Sequence, residues 1–214
     1  SLEGLRGPVG GDETMSQVAK IVGLVKAPSS MPQVAVLHCN GTCANRPKKS
    51  DYDGPRSCHI EHMLYGGPNA CKYGCLGCGD CVSACKFDAM RINPTTGIVE
   101  IDGDKCVGCG ACTEVCPRNL IELRNKGPRG MRVYVACANK DKGAVAMKEC
   151  IVSCIGCSKC LKECPHEAIT IKDNLAYIDY KKCKLCKKCV PVCPRNAIIA
   201  ANFPVKKVEV EENN

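Results

Sequence analysis

Sixteen of the 22 cysteines lie in four runs that share one spacing: Cys-x2-Cys-x2-Cys, followed by a fourth cysteine after three more residues. The runs occupy residues 75–85, 106–116, 154–164 and 183–193. Three thiolates in so tight an arc can bind one face of a compact inorganic cluster, and this spacing is typical of [4Fe–4S] binding. The pattern therefore predicts one-electron transfer between iron–sulfur clusters.

The same spacing occurs in bacterial two-cluster ferredoxins, where the last cysteine of each run binds the cluster of the other run. This crossing predicts two clusters for each pair of runs. The four predicted ligand sets are Cys75, Cys78, Cys81 and Cys116; Cys106, Cys109, Cys112 and Cys85; Cys154, Cys157, Cys160 and Cys193; and Cys183, Cys186, Cys189 and Cys164.

Two other uses of cysteine fit this pattern less well. Disulfide scaffolds are typical of short secreted chains, whereas this chain has 214 residues. Structural zinc sites use two Cys-x-x-Cys pairs separated by a longer loop, whereas here three ligands share one arc. We therefore favour iron–sulfur clusters over both alternatives.

Six cysteines lie outside the four runs. Four of them suffice for a fifth [4Fe–4S] cluster, although their spacing is not a standard motif: Cys39, Cys43, Cys58 and Cys71. Cys137 and Cys150 are only two, so we interpret them as buried or free thiols, because cysteine packs as a small apolar side chain. The cysteine spacing of residues 58–75 recurs in residues 137–154, which indicates a duplicated unit.

The formal net charge of +8 counts cysteine as neutral. A cluster with four thiolates and an oxidised core carries about −2, so five clusters would bring the total charge to about −2. The excess of Lys and Arg is thus first a compensation for cluster charge. We do not expect nucleic-acid binding, because the basic residues are not interleaved with stacking aromatics and no nucleic-acid motif occurs.

A group of exposed lysines is predicted around the last cysteine run. It comprises Lys181, Lys182, Lys184, Lys187 and Lys188. Two interpretations remain open at this point. The lysines are either solvated charge that balances the cluster, or a docking face for an acidic redox partner, where steering raises the encounter rate.

The arrangement of apolar segments predicts an α+β fold. Each cysteine run is followed by a short apolar segment, and after the first and third runs a turn leads to a second apolar strand. Further strands are predicted at residues 33–38 and 132–136, and a helix from near Asp12 toward Ala27. No run of 18 apolar residues occurs, so no membrane-spanning segment is predicted.

Four segments are more specific than the cysteine spacing. They are HCNGTC at 38–43, YGCLGCGDC at 73–81, NKDKG at 139–143 and NLAYID at 174–179. Together they resemble the B subunit of the Rnf electron-transport complex, in the form with two ferredoxin modules found in Bacteroides-like bacteria. The resemblance covers nearly the whole chain.

The resemblance implies an electron-relay subunit of a membrane-bound ferredoxin:NAD oxidoreductase that couples electron transfer to Na+ or H+ translocation. The B subunit of that family receives electrons from reduced ferredoxin on the cytoplasmic face of the bacterial inner membrane. Other Rnf subunits bind NAD and flavins, which agrees with the lack of a Gly-x-Gly-x-x-Gly fingerprint after a strand here. In the family, the cysteines at positions 39, 43, 58 and 71 are expected to hold a cluster.

Family members begin with a membrane helix and a further four-cysteine domain, so the resemblance implies an N-terminally truncated chain. Its membrane association would rest on the missing helix and on partner subunits. Residues 7–11 resemble the end of that domain, with Gly7 at a cysteine position. The predicted organisation is a domain remnant with helix and linker (1–32), a small four-cysteine module (33–72), tandem 2[4Fe–4S] ferredoxin modules (73–125 and 152–201) joined by a strand and linker (126–151), and a disordered tail (202–214).

Two other functions share the ferredoxin spacing. One is a soluble polyferredoxin carrier, and the other is the iron–sulfur subunit of another oxidoreductase, such as a formate dehydrogenase or a hydrogenase. In all three cases we expect no catalytic residues and no substrate-turnover site in this chain.

Overall fold

The computed structural model describes residues 10–24 and 31–204. Most of the segment at residues 7–11 and most of the predicted tail lie outside these ranges. The described helices are α1 Gly11–Val22, α2 Cys58–Tyr65, α3 Asp80–Ser83, α4 Ala111–Glu114, α5 Gly143–Glu149 and α6 Lys159–Glu163. The described strands are β1 Gln33–Leu37, β2 Met90–Ile92, β3 Val99–Ile101, β4 Ile121–Asn125, β5 Arg132–Val135, β6 Ile169–Lys172, β7 Leu175–Ile178 and β8 Ile198–Ala201.

The first helix is shorter than its predicted span. It begins at Gly11 and ends at Val22, where Gly23 adopts a left-handed φ of 68° and donates its backbone N–H to the Ala19 carbonyl. Glycine takes this conformation without a steric penalty, and it therefore stops the helix. The rest of the predicted helix, at residues 25–27, lies outside the described residues.

Two halves of the chain repeat one strand topology. In the first half (residues 33–125), β1 pairs antiparallel with β4, and β2 pairs with β3 as a hairpin. In the second half (residues 132–201), β5 pairs with β8 and β6 with β7 in the same way. The predicted strands and both hairpins are therefore confirmed.

Each half has its own small core, built from short apolar strands and cysteines. Leu37, Leu120 and Ile121 belong to the core of the first half. Val133 and Ile178 belong to the core of the second half. Because aromatic residues are only 4% of the chain, these cores depend on the cysteines that pack into them.

The two halves contact each other through the strands that open them. Val36 of β1 packs with Tyr134 of β5 and with Ala136, just after β5, in a third apolar cluster. Polar contacts add to this junction: the Ile151 N–H donates to the Asn45 carbonyl at 2.8 Å, and Lys72 pairs with Asp141 at 3.0 Å. The residues at the ends of β1 and β5 are thereby brought together.

Among the described helices, none has both the length and the apolar character needed to cross a bilayer.

Candidate iron–sulfur cluster sites

One-turn helices and left-handed loop residues bend three of the cysteine runs around their sites. The third cysteines Cys81, Cys112 and Cys160 lie in α3, α4 and α6, respectively, and all three are buried. Gly77, just before Cys78, has a φ of 77°, and a Cβ atom there would lie 2.4 Å from the Gly97 carbonyl oxygen. Only glycine fits this close approach between the cysteine loop and the neighbouring hairpin.

The first predicted ligand set borders one cavity of the first half. Cys75, Cys81 and Cys116 line it, together with apolar side chains of β1, β3 and β4. The thiol of the remaining member, Cys78, hydrogen-bonds with the thiol of Cys58, which also lines the cavity. Four predicted ligands and one additional cysteine therefore meet here.

The second set crosses between the two runs of the first half. The pKa of Cys112 is raised to about 11, first by burial and then by the charge of neighbouring Cys106, Cys109 and Cys85. The last cysteine of the first run thus lies beside three cysteines of the second run, as the crossing predicts. Cys109 is exposed, so this site reaches the surface.

The second half repeats this crossed arrangement. A single cavity is lined by all four members of the third set, Cys154, Cys157, Cys160 and Cys193. The fourth set is also close together: after burial, the charges of Cys186 and Cys164 contribute to the raised pKa of Cys183. The pKa of Cys189 is raised to about 12 by burial and, next, by the charge of Cys183.

The buried cysteines suit a cluster that is inserted with proton release. Burial raises the pKa of Cys75 to about 11, of Cys81 to about 12 and of Cys160 to about 11. Without iron these groups are therefore neutral thiols at pH 7. Iron binds the thiolate, so loading each site releases protons and couples metal binding to folding.

The structure does not bring together the four cysteines expected to hold the fifth cluster. Cys39 and Cys71 line a common cavity, but Cys43 and Cys58 do not. Cys43 is exposed and its N–H donates to the Thr96 carbonyl at 2.9 Å, in the turn of the first hairpin. Cys58 begins α2 beside Cys78. The backbone thus directs Cys43 and Cys58 to two other places, and the cavity contains only Cys39 and Cys71 of the expected four.

Cys137 and Cys150 lie with Cys39 and Cys71 in that common cavity, so they are not isolated thiols. Of the expected small module at residues 33–72, only Cys39 and Cys71 line this cavity. The spacing repeat equates Cys58 with Cys137, whereas in the structure Cys39 holds the position equivalent to Cys137, after the opening strand of its half. The sequence signal for this equivalence is the predicted strand that precedes each of the two cysteines.

All five lysines of the last run are exposed, and so is Cys186 in the same run. Lys187 also lies over the Phe203 ring, with its Nζ 4.7 Å from the ring centroid. The fourth cysteine set therefore reaches the surface within a strongly positive segment. Across the described residues, no group of three or more His, Cys, Asp or Glu side chains has the arrangement for a single metal ion.

Comparison with known families agrees with the crossed sites. The 4Fe-4S dicluster domain family matches residues 74–120 and again residues 153–197. A second 4Fe-4S dicluster domain family matches residues 105–168. The chain thus contains two dicluster ferredoxin domains.

Curated relatives extend the similarity beyond these domains. The B subunit of the Na(+)-translocating ferredoxin:NAD(+) oxidoreductase complex of Acetobacterium woodii is 41% identical over 177 residues, which is 83% of this chain and 52% of the relative. The B subunit of the proton-translocating ferredoxin:NAD(+) oxidoreductase complex of Clostridium ljungdahlii is 48% identical over 167 residues, 78% of this chain and 57% of the relative. The chain belongs to this B-subunit family.

A third curated relative is also a B subunit. The B subunit of the ion-translocating oxidoreductase complex of Methanosarcina acetivorans is 36% identical over 176 residues, 82% of this chain and 65% of the relative. The chain thus spans between half and two thirds of the length of these relatives. A solved formate dehydrogenase–heterodisulfide reductase–formylmethanofuran dehydrogenase complex from Methanospirillum hungatei matches 59% of this chain and 51% of its own chain at 20% identity and a TM-score of 0.23, which supports no structural conclusion.

Proposed function

We propose that this chain relays electrons from reduced ferredoxin, through [4Fe–4S] clusters, to other subunits of an ion-translocating ferredoxin:NAD oxidoreductase. The observation that carries the proposal is the crossed grouping of sixteen cysteines into four sets, in a chain related to the B subunits of such complexes. The complex lies at the membrane, with this chain on its cytoplasmic face. NAD and flavins bind to partner subunits.

Four [4Fe–4S] clusters occupy the four crossed sets, and each cluster supplies one reversible electron-accepting centre. The chain's own contribution includes hydrogen bonds to the ligand sulfurs. The Ala197 N–H lies 3.3 Å from the Cys193 Sγ, and the Leu120 N–H lies 3.4 Å from the Cys116 Sγ. Such N–H donors stabilise negative charge on sulfur, so they favour the reduced cluster and raise its reduction potential.

Electrons enter at the fourth cysteine set, in the second half. Cys186 is exposed there and is surrounded by the lysine group defined above. An acidic ferredoxin would be steered to this segment, and a short approach to an exposed cluster favours rapid transfer. The lysines would then act in docking as well as in charge compensation.

Charge reversal tests this entry point. We expect the Lys184→Glu/Lys188→Glu variant to slow cluster reduction by ferredoxin about tenfold or more at low ionic strength, with the difference shrinking as salt screens the charges. The matched control is Lys148→Glu/Lys172→Glu, which makes the same charge change at exposed lysines elsewhere. Stopped-flow absorbance under anaerobic conditions measures the rate.

Equal rates for the two variants at low salt would contradict docking at this face. To test the wider role, the full-length protein would be assembled with its partner subunits and supplied with reduced ferredoxin. Ferredoxin-dependent NAD reduction that requires this chain supports the relay. Recovery of the native chain only in the soluble fraction, with no associated subunits, would favour a free polyferredoxin instead.

A further inference from the structure

Four cysteines from the two halves line one cavity at the junction. Cys39 and Cys71 come from the first half, and Cys137 and Cys150 from the second. The cavity is similar in size to the two cavities lined by ferredoxin-run cysteines. It therefore has both the ligand number and the size of a cluster site of this protein.

All four sulfurs accept N–H hydrogen bonds, as expected for cluster ligands. Cys39 Sγ accepts from the Cys75 N–H at 3.3 Å, and Cys137 Sγ accepts from the Cys154 N–H at 3.3 Å. The remaining donors are the Asn139 N–H to Cys137 at 3.4 Å, the Asn139 side-chain amide to Cys71 at 3.6 Å, the Tyr73 N–H to Cys71 and the Val152 N–H to Cys150. These donors stabilise negative charge on the four sulfurs, as cluster ligands require. Neutral, unreactive thiols would not need such stabilisation.

Positive charge surrounds the cavity. Arg46 lines it and is only 5% exposed, and within the described residues its Nε atom has no hydrogen-bond partner. Arg118 donates to the Cys71 carbonyl at 3.4 Å, and Arg195 donates to the Cys150 carbonyl at 3.3 Å. A buried guanidinium is costly unless an opposite charge lies close by, and a cluster held by four thiolates would supply about −2.

A glycine leaves room beside the sulfurs. Gly41 is buried, and a Cβ atom there would lie 3.3 Å from the Cys150 Sγ and 3.6 Å from the Cys39 Sγ. Both sulfurs therefore approach the backbone of the first half at the same point, although Cys150 belongs to the second half.

From these contacts we propose that Cys39, Cys71, Cys137 and Cys150 bind a fifth [4Fe–4S] cluster that bridges the two halves. Its position follows from two contacts: Cys39 touches Cys75, a predicted ligand in the first half, and Cys137 touches Cys154, its counterpart in the second half. The fifth cluster is thus the link through which electrons pass between the ferredoxin modules. That relay role rests on the proposed function, whereas the site itself does not.

Matched single-cysteine variants of the full chain test the site. Anaerobically reconstituted wild-type protein should bind about twenty iron atoms and as many sulfides, at four per cubane. The Cys150→Ala variant should lose a [4Fe–4S] signal, with about sixteen irons remaining, or about nineteen if a three-iron cluster with its own EPR signal in the oxidised protein forms. The Cys43→Ala control should retain about twenty.

The outcomes separate the alternatives. Loss of four irons from Cys43→Ala but not from Cys150→Ala would overturn the proposal in favour of the grouping expected from sequence. A wild-type count near sixteen, with or without one zinc per chain, would also overturn it while leaving the four ferredoxin clusters in place. A variant that fails to fold would also lose iron, so the loss counts only if the EPR signals of the other clusters are retained. Cys137→Ala, which removes a second ligand of the same cluster, is measured alongside and should give the same result. Wild-type protein with far fewer than sixteen irons would instead contradict the proposed function.

Discussion

Cys39 and Cys137 are structural counterparts that face one cavity from opposite halves of the chain. Each follows the strand that opens its half, and each sulfur accepts a hydrogen bond of 3.3 Å from the first cysteine of the run that follows. Their partners Cys71 and Cys150 each precede that run by the same spacing. An internal duplication has thus produced a site of two equal contributions, which neither half can complete alone.

The space beside Gly41 should be necessary for the bridging site. We expect Gly41→Val to lose about four irons while the other sixteen remain, because its side chain would press on Cys150 and Cys39. Iron analysis with EPR on the reconstituted chain measures this. Ala44→Val, at a nearby exposed position, is the control and should bind the full complement. A full complement in Gly41→Val would show that this room is not needed.

Glu122 connects the two halves through an unusual concentration of hydrogen bonds. Its carboxylate accepts from His38 Nε2 at 2.7 Å, Arg124 Nε at 2.9 Å and the Tyr177 hydroxyl of the second half at 2.7 Å. Burial alone would raise the pKa of Glu122, but the hydrogen bonds from His38 and Tyr177 and the charge of Arg124 outweigh it and lower the pKa to about 2. Glu122→Gln should therefore weaken the junction.

The sign of the pH dependence follows from that lowered pKa. The contribution of Glu122 is complete above its ordinary pKa of 4.5 and is lost as the pH falls toward about 2. His38 also contacts this carboxylate, and histidine changes its charge between about pH 5 and pH 8, so the comparison is made in a His38→Gln background. There the destabilisation of Glu122→Gln should be equal at about pH 6.5 and about pH 8.5, since both lie above the ordinary pKa of Glu122. The guanidinium concentration that bleaches half of the visible cluster absorbance measures it. A difference that grows or vanishes between these two pH values would contradict this account.

The sequence predicts the structural features that are determined by residues close together in the chain, and it does not predict those that depend on contacts between distant residues. The hairpin of β2 and β3 follows from apolar alternation around the turn at Asn93, and the crossed ligand sets follow from a spacing with one known geometry. The bridging cavity has no such local signal, because its cysteines meet only after β1 and β5 have packed together. The spacing match between Cys58 and Cys137 was misleading, since the former lies in a helix and the latter follows a strand.

The same turn follows each of the four cysteine runs, and Glu167 is the one residue at its left-handed position that is neither Asn nor Asp. The residue three positions after the last cysteine has a φ between 48° and 50° in all four cases: Asp88, Asn119, Glu167 and Asn196. Asn and Asp tolerate the left-handed region because their short polar side chains can hydrogen-bond locally, whereas Glu does so less readily. Glu167 is exposed. Its replacement by Asn should therefore stabilise the protein by about 1 kcal/mol.

The reverse exchange is the control for that turn. Asn196→Glu, at the equivalent exposed position, should destabilise the protein by a similar amount. Both variants are compared with the wild type by anaerobic guanidinium titration of the cluster absorbance. Changes of the same sign in the two variants would show that backbone conformation does not determine the effect.

Cys58 should tune the first cluster without being a ligand. Its thiol hydrogen-bonds with the thiol of Cys78. Iron binds Cys78 as a thiolate, which leaves Cys58 as the member of this pair that carries a proton. With iron bound, an S–H donor at this position would stabilise charge on the Cys78 sulfur and so favour the reduced state. Cys58→Ala should lower the potential of that one cluster by about 40 mV, which corresponds to about 1 kcal/mol for one hydrogen bond in a one-electron couple.

EPR-monitored redox titration of Cys58→Ala distinguishes tuning from ligation. If Cys58 tunes, the iron content stays at the wild-type value and one cluster shifts to lower potential. If Cys58 itself binds iron in place of Cys78, the variant loses or converts that cluster while Cys78→Ala leaves it intact. The close contact of the two thiols makes them competitors for one position. Cys58 lines the cavity beside Cys75 and Cys81, but only Cys78 has the run spacing that is typical of [4Fe–4S] ligands, so we expect Cys78 to bind the iron.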